Sequence, residues 1–528
     1  METSNNYNIN ILDLPDEILF AIFNKLNMID VFYSLVDVNK RFNRLILDPF
    51  YIHNLDLTVK HSLLQRVSPL DMQKIDTICK KILPKIHHHI YKLTVPSYLI
   101  ESIINIDYPQ LQSLSLVNFE EQKLLKYLTG ETVYRLLTNQ ITHLSVDIVY
   151  DKNESNIFLL ILSSGKHLTD LTFHNRFSSE HLGNPTFVLS SIHISSTLNK
   201  LIVNVTTFDD CLYLLDGTLQ SLTALIIDII SISESSSIID NTKKLPKLKQ
   251  FSLTSERMTF AYDEKVVPLL RRMIHIEDLT LFLNVGRLGS INMDDYINAY
   301  IDGTHLYNDV FAFMPQLHRF TFSINTCAPI SNIGFPSNDD IEHSFIEKGN
   351  RHVGSYVHNR LPIQSGQCHV FSLPYQFDTY LLMRCNSFQG GLFNKVRSMK
   401  MFDSYPFEHD LFEKISQHFP FLRNLTLDNE AGQDNKQHSS TLITFPYLEH
   451  LNIMFADADY GEQFLFEKNT RLPRLLELHI SYDTLTMITN NFTNDLARVN
   501  CSKIRHIVTK ELYVPPKDFH LYFPLLEI

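Results

Sequence analysis

The sequence predicts an α/β protein: a short all-helical module, then a curved solenoid of strand–helix units with a parallel inner sheet and outer helices. Three observations carry this. A pattern of apolar-x-x-apolar-x-apolar, often led by Pro, returns along most of the 528 residues. Between copies, apolar residues recur at i, i+3 or i+4, the period of a helix. Residues 11–47, ahead of the first copy, read as three short helices. Neither the strand nor the helix of such a unit buries its apolar face alone, whereas a stack of units does.

Composition narrows the class. With 44% hydrophobic and 20% charged residues, the chain is of ordinary soluble-globular type. Its 46 basic and 58 acidic residues leave a formal charge of −12, and no run of five Lys/Arg occurs. A nucleic-acid partner is disfavoured, because such proteins concentrate basic charge on one face. The polar start, Met1 to Asn8, lacks the basic and apolar regions of a secretory signal. The longest apolar stretches, Ile157 to Leu162 and Leu222 to Ile230, fall short of the roughly 18–20 residues that cross a bilayer. The cysteines, Cys79, Cys211, Cys327, Cys368, Cys385 and Cys501, are scattered without a CxxC pair. Reduced, mostly buried thiols are expected, in an intracellular protein of cytoplasm or nucleus that has no membrane partner.

In the first helix Pro15 fits the first helical position, where its missing N–H costs nothing. Asp16 and Glu17 follow, complementing the helix dipole. Ile18, Ile22, Phe23 and Leu26 then make one apolar face. The run Asn27 to Asp30 breaks the pattern. Asp30 is expected to cap a second helix carrying Val31, Ser34 and Leu35, and Asn39 a third in which Phe42, Leu45 and Ile46 share a face. So few residues cannot bury enough apolar surface to be stable alone. The module must dock, on a partner or on the chain itself as a cap on the first repeat.

Leu14-Pro15-Asp16-Glu17-Ile18, Ile22-Phe23-Asn24-Lys25-Leu26, Asp30-Val31, Val38-Asn39-Lys40-Arg41-Phe42 and Leu45 together resemble the F-box. The following Asp48-Pro49 and Leu55-Asp56-Leu57-Thr58 resemble the step from an F-box into leucine-rich repeats. The resemblance implies an F-box at residues 8–50 that binds the Skp-type adaptor of an SCF ubiquitin ligase, and through it the cullin scaffold. The adaptor contacts it implies are Leu14, Pro15, Ile18, Ile22, Leu26, Val38, Lys40, Arg41 and Phe42. Asn39 stands where many members have Cys, and Phe42 where many have Trp, in a chain that holds no Trp. Phe keeps the large apolar contact, whereas Asn either weakens docking or serves as a cap.

Clear copies of the repeat are Leu111/Leu114/Leu116, Leu248/Phe251/Leu253, Leu317/Phe320/Phe322, Leu422/Leu425/Leu427, Leu448/Leu451/Ile453 and Leu475/Leu478/Ile480. Less regular ones start at Ile52, Ile90, Ile141, Leu168, Leu198, Leu219, Ile276, Val396 and Ile504. Their spacing is that of leucine-rich repeats. Residues 51–528 are therefore expected to form a divergent solenoid. Helices are expected at Glu121 to Leu137, Asn156 to Ser163, Glu264 to His275, Asp410 to His418 and Thr484 to Val499. The Asn or Cys expected three residues after the third apolar position is absent from the best copies, where Phe119, Glu256, Glu430, Ala456 and Asp483 stand, so those turns must be satisfied some other way. Between about 325 and 395 the pattern vanishes. An insertion on the binding face, with strand pieces at His369 to Leu373 and Tyr380 to Met383 lying over the sheet, competes there with degenerate repeats. The Ser-rich stretch Ser231 to Ser237 reads as a solvated turn.

Little chemistry is legible. His87-His88-His89 is the most conspicuous ionisable run, but adjacent residues point different ways and make a poor ligand set. Cys368-His369 offers a thiol beside a base, yet neighbours on a strand face opposite sides. No Gly-rich phosphate loop, GxSxG or HExxH motif is present, so no cofactor, metal or catalytic residue is expected. The expected role is non-catalytic: to tether an unknown protein substrate through the repeats and the ligase adaptor through the F-box. The alternative is a leucine-rich interaction scaffold whose N-terminal helices only cap the array. A third reading seats an enzyme in residues 325–395.

Overall fold

The computed structural model describes residues 11–58, 69–149, 157–176, 197–233, 246–287, 300–329, 336–349, 352–360, 365–383, 388, 390–435, 441–510, 514–516 and 518–526. It is a mixed α/β structure that divides into two units. The first is Met1–Arg257, Ala261–Leu279 and Phe313–His318; the second is Met258–Phe260, Thr280–Ala312 and Arg319–Ile528.

In the first unit the apolar copies become strands: β1 (Asn54–Asp56), β2 (Lys92–Pro96), β3 (Ser113–Glu120), β4 (His143–Val149), β5 (Asp170–Arg176), β6 (Lys200–Thr207), β7 (Ala224–Ser231) and most of β8 (Gln250–Thr259). Each pairs in parallel with the next in chain order. The period-two alternation of a strand decides which side chains go in. In β3, Leu114 and Leu116 are buried while Ser113 and Ser115 stay half-exposed on the other face. One carbonyl ahead of each strand locks successive units together by accepting two N–H groups. Thr142 O accepts from Thr169 N at 2.8 Å and Asp170 N at 3.1 Å, and Thr223 O does the same for Lys249 and Gln250.

Two expectations change here. The helix expected over 121–137 is two, Glu121–Leu128 and Glu131–Asn139. They meet at Gly130, where a Cβ would press to 3.3 Å from the carbonyls of Lys126 and Tyr127. The copy placed at Leu219 begins instead at Leu222, since Leu225 and Ile227 are the inward pair of β7. Leu219, though buried, belongs to the preceding turn.

The second unit holds most of β9 (Asp278–Gly286), then β10 (Arg319–Pro329), β11 (Val353–Arg360) and β12 (Ser365–Ser372). β12 lies antiparallel to β10, with Thr326 opposite Cys368, and β11 antiparallel to β12. The strand piece at His369 to Leu373 therefore runs in the plane of the sheet, not over it. The repeat pattern vanishes because the helix at Asn338–Glu347 leads into β11, which runs in the direction of β10, and the chain then turns back as β12 between the two. Of the copy at 317, Phe322 is fully buried, and Leu317 and Phe320 only partly.

A second sheet follows: β13 (Thr379–Met383), β14 (Ser398–Phe402), β15 (Asn424–Asn429), β17 (His450–Ala456), β19 (Glu477–His479) and β20 (His506–Val508), adjacent in that order and all parallel. The short β16 (Ile443–Thr444) and β18 (Thr470–Arg471) pair with each other. The core of this region opens on aromatic rings. Phe393 stacks on Phe419 at 4.6 Å, and Tyr380 meets both edge-on. The helix expected to run from Thr484 to Val499 stops early, as Tyr482–Ile488. Asn490, Asn491 and Phe492 then take left-handed backbone angles. For Phe492 that conformation is costly. Its ring offsets the cost by packing against Phe519 and Tyr522.

Asparagine does satisfy turns, though not at the expected offset. Asn429, two residues after Leu427, donates to Tyr405 O and accepts from Ala431 N. Buried Asn500 donates to the carbonyls of Phe464, Leu465 and Thr470 and accepts from Leu472 N. Removing one partner leaves buried backbone groups with neither water nor bond. Asn500→Ala should therefore lower stability by about 3 kcal/mol. Chemical denaturation followed by protection of the β18 and β19 amides would measure it.

Candidate functional site

The N-terminal helices are α1 (Asp16–Phe23), α2 (Met28–Leu35), α3 (Lys40–Ile46) and α4 (Pro49–Ile52). Pro15 stands one position earlier than expected, at the N-cap of α1. Asn27, not Asp30, caps α2, its Oδ1 accepting from Ile29 N at 2.9 Å. Asp30 lies inside the first turn and pairs with Lys74 at 2.7 Å, on the helix α5 (Pro69–Thr77). Asn39 caps α3 as expected, accepting from Phe42 N at 2.8 Å.

Helix α1 carries two apolar stripes instead of one. Leu19 and Phe23 point inward and are buried. Phe23 meets Phe42 edge-on at 5.8 Å and Tyr51 at 6.3 Å. Ile18 is 47% exposed and Leu26 49%, while Ile22, a helical turn from Ile18, is half-buried. Pro15 and Lys40 are exposed, Leu14 half-buried, and Val38 60% exposed on the turn ahead of α3.

Two of the named residues turn inward. Phe42, 5% exposed, belongs to the interior with Leu45 and Ile46. Arg41 is a clasp. Its Nη2 donates to Leu14 O at 2.6 Å and to Asp16 at 2.5 Å, and its Nη1 to Leu12 O. Arg44 reaches the other oxygen of Asp16 at 2.6 Å. This binds the first turn of α3 to the start of α1, bringing Val38 and Lys40 toward Leu14 and Pro15. Reading Lys40-Arg41-Phe42 as one contact stretch missed the division of labour. The available signal was an acid in the first turn of α1 facing two arginines three apart on α3. Ile11 (49% exposed), Leu12 (41%) and Phe50 (89%), which the sequence reading did not name as contacts, are exposed apolar side chains of the same module.

The hydrogen bond from Arg41, with Arg44 beside it, holds the Asp16 carboxyl below its ordinary value. A depressed carboxyl contributes stability above the ordinary carboxylate range and loses it as pH falls through the folded value. Asp16→Asn should thus make α1 and α3 amides exchange faster at neutral pH. The parent chain should reach that behaviour only in acid. Equal exchange in both chains at pH 7 would remove the clasp from the argument.

Residues 11–58 match the F-box-like family. The chain carries an F-box-like domain. The match runs past residue 50, taking in the end of α4 and β1, where Leu55 and the following Leu57 are buried. F-box domains typically bind Skp-type adaptors. No curated protein matches the chain.

The other sequence candidates lie elsewhere. His87–His89 form a single 3-10 turn, with His87 Nδ1 against Asp107 O at 2.6 Å. Among the described residues no group of three His, Cys, Asp or Glu is arranged to hold a metal. Cys368 and His369 are both buried. His369 Nε2 lies 2.9 Å from Ser323 Oγ, and burial holds this imidazole down at about 3. Burial pushes the Cys368 thiol well above its usual range. Cys79, Cys211, Cys327 and Cys501 are likewise buried, and Cys385 lies outside the described residues. So does the Ser-rich stretch from Glu234 onward. Among the described residues no helix is long and apolar enough to cross a membrane.

Proposed function

We propose that this chain is the substrate-recognition subunit of an SCF-type ubiquitin ligase. Its F-box-like domain holds a Skp-type adaptor, and through it a cullin scaffold, while the remaining units form a divergent leucine-rich-repeat solenoid that captures a target protein. The single observation that supports this most is the outward apolar surface of Ile18, Leu26 and Val38, on a module whose interior is already filled by Leu19, Phe23 and Phe42. Such a surface costs free energy in water and favours a partner that covers it. The mechanism is proximity, since tethering raises the effective concentration of the target beside a transferase on other subunits. On this reading the chain itself makes or breaks no covalent bond, needs no cofactor and works inside the cell.

The cap reading has an observation of its own. Lys74 of α5 pairs with Asp30 of α2, and Asn27 Nδ2 donates to Thr58 O at 3.5 Å, so α2 also leans on the following units. The two faces are different, and one module serves both. The test is a pull-down of the full chain against the source organism's Skp-type adaptor. Stoichiometric capture is expected. A folded chain that captures none would leave the scaffold reading in its place.

A further inference from the structure

In the second sheet, four consecutive units put rings and guanidinium groups in one row where their strands begin. Phe421, Tyr447 and Arg474 each directly precede the buried leucine that starts their unit, and Arg397 follows Val396. The Arg397 guanidinium lies 5.1 Å from the centroid of Phe421. Phe421 is 5.6 Å from Tyr447, and the Arg474 guanidinium is 4.8 Å from Tyr447. The row therefore reads cation, ring, ring, cation. Phe421 is 39% exposed, and Arg474 is exposed. Among the described residues no carboxylate pairs with Arg397 or Arg474. Among the described residues Arg397 donates to the carbonyls of Asn394 and Val396. That is unusual in a chain with twelve more acidic than basic charges. Lys503 continues the row in the last unit.

We propose that this row binds an extended acidic peptide segment of a partner protein. A guanidinium stacked on a ring keeps in-plane N–H groups for a carboxylate, in Arg397 those other than the Nη1 already bonded to the carbonyls of Asn394 and Val396. Strands β14, β15, β17 and β19 are neighbours, so the two arginines stand three strand spacings apart, roughly 14–15 Å. An extended peptide crosses that distance in about four or five residues. Acidic side chains at i and i+4 share one face of such a segment and reach both cations. Continuous nucleic acid suits the row less. Glu449, 4.0 Å from Arg423, and Glu477 stand beside it and repel a phosphate at every step. This inference does not rest on adaptor binding, because the row needs nothing from the F-box-like domain.

The test uses the full chain and fluorescence anisotropy with three labelled probes: a Gly/Ser peptide carrying Glu at i and i+4, its Lys counterpart, and an oligouridine. The acidic peptide should bind, more weakly as salt rises. Arg397→Ala and Arg474→Ala should each weaken it about tenfold with thermal unfolding unchanged. Arg474→Lys should recover only part of the loss, since an ammonium lacks the planar fork. Phe421→Leu with Tyr447→Leu, which leaves every charge in place, should also weaken binding. The proposal is overturned if the acidic and Lys peptides bind alike, if the arginine variants bind as the parent does, or if the oligouridine binds more tightly than the acidic peptide.

Discussion

Ile18→Asp combined with Leu26→Asp should abolish capture of a Skp-type adaptor and leave thermal unfolding of the chain unchanged. Both side chains are about half exposed, so neither contributes its full burial to the folded module. Covering the rest on binding is worth about 1 kcal/mol for each, and a carboxylate in the same contact adds a desolvation cost. Together these correspond to an affinity loss of about a hundredfold or more. Phe42→Ala is the informative contrast. Phe42 is buried against Phe23, so its truncation should weaken adaptor capture only by loosening the module. Faster hydrogen exchange in α1 and α3 would reveal this. If the double aspartate variant retained the adaptor at parental affinity, the exposed apolar surface would not be the contact.

Phe419→Ala should produce the largest loss of stability in the second unit. Phe419 is 1% exposed, stacks on Phe393, and meets Tyr380 and Phe388 at 5.1 and 5.5 Å. Truncating a buried ring removes its transfer free energy and leaves a cavity that rigid aromatic neighbours cannot fill, at about 3–5 kcal/mol. Phe419→Leu should cost distinctly less, because it leaves a smaller void. Hydrogen exchange of the β14 and β15 amides under increasing denaturant reads the change in this sheet directly. A loss below about 1 kcal/mol would mean that the cluster relaxes around the gap, contrary to close packing.

Period and chemistry together made much of the fold legible. A strand forms wherever two inward apolar residues are separated by one outward residue, and Leu114/Leu116, Leu425/Leu427 and Leu451/Ile453 behave so because burial on one face is a local property of alternation. Asn39 as the cap of α3 was legible for the same reason, since its partner is three residues away. Leu219 misled because the turn before β7 carries several leucines, and only the stacked neighbours select Leu222 as the start of the unit.

What the chain alone could not decide depended on contacts distant in sequence. The direction of β12 was open until β10 and β11 flanked it, because hydrogen bonding to a partner strand is not written in either segment. The two faces of α1 were open for a similar reason. Ile18, Leu19, Ile22 and Phe23 are all apolar, and the ring of Phe42, nineteen residues beyond Phe23, determines which of them turn inward. The roles within Lys40-Arg41-Phe42 divide because Asp16 stands within reach of Arg41 once α1 and α3 have packed. The sequence by itself thus determined most of the parallel strands, the helical module and its likeness to an F-box, all products of short-range periodicity. Tertiary structure decided which apolar residues remain on the surface, because burial is conferred by neighbours that only folding brings together.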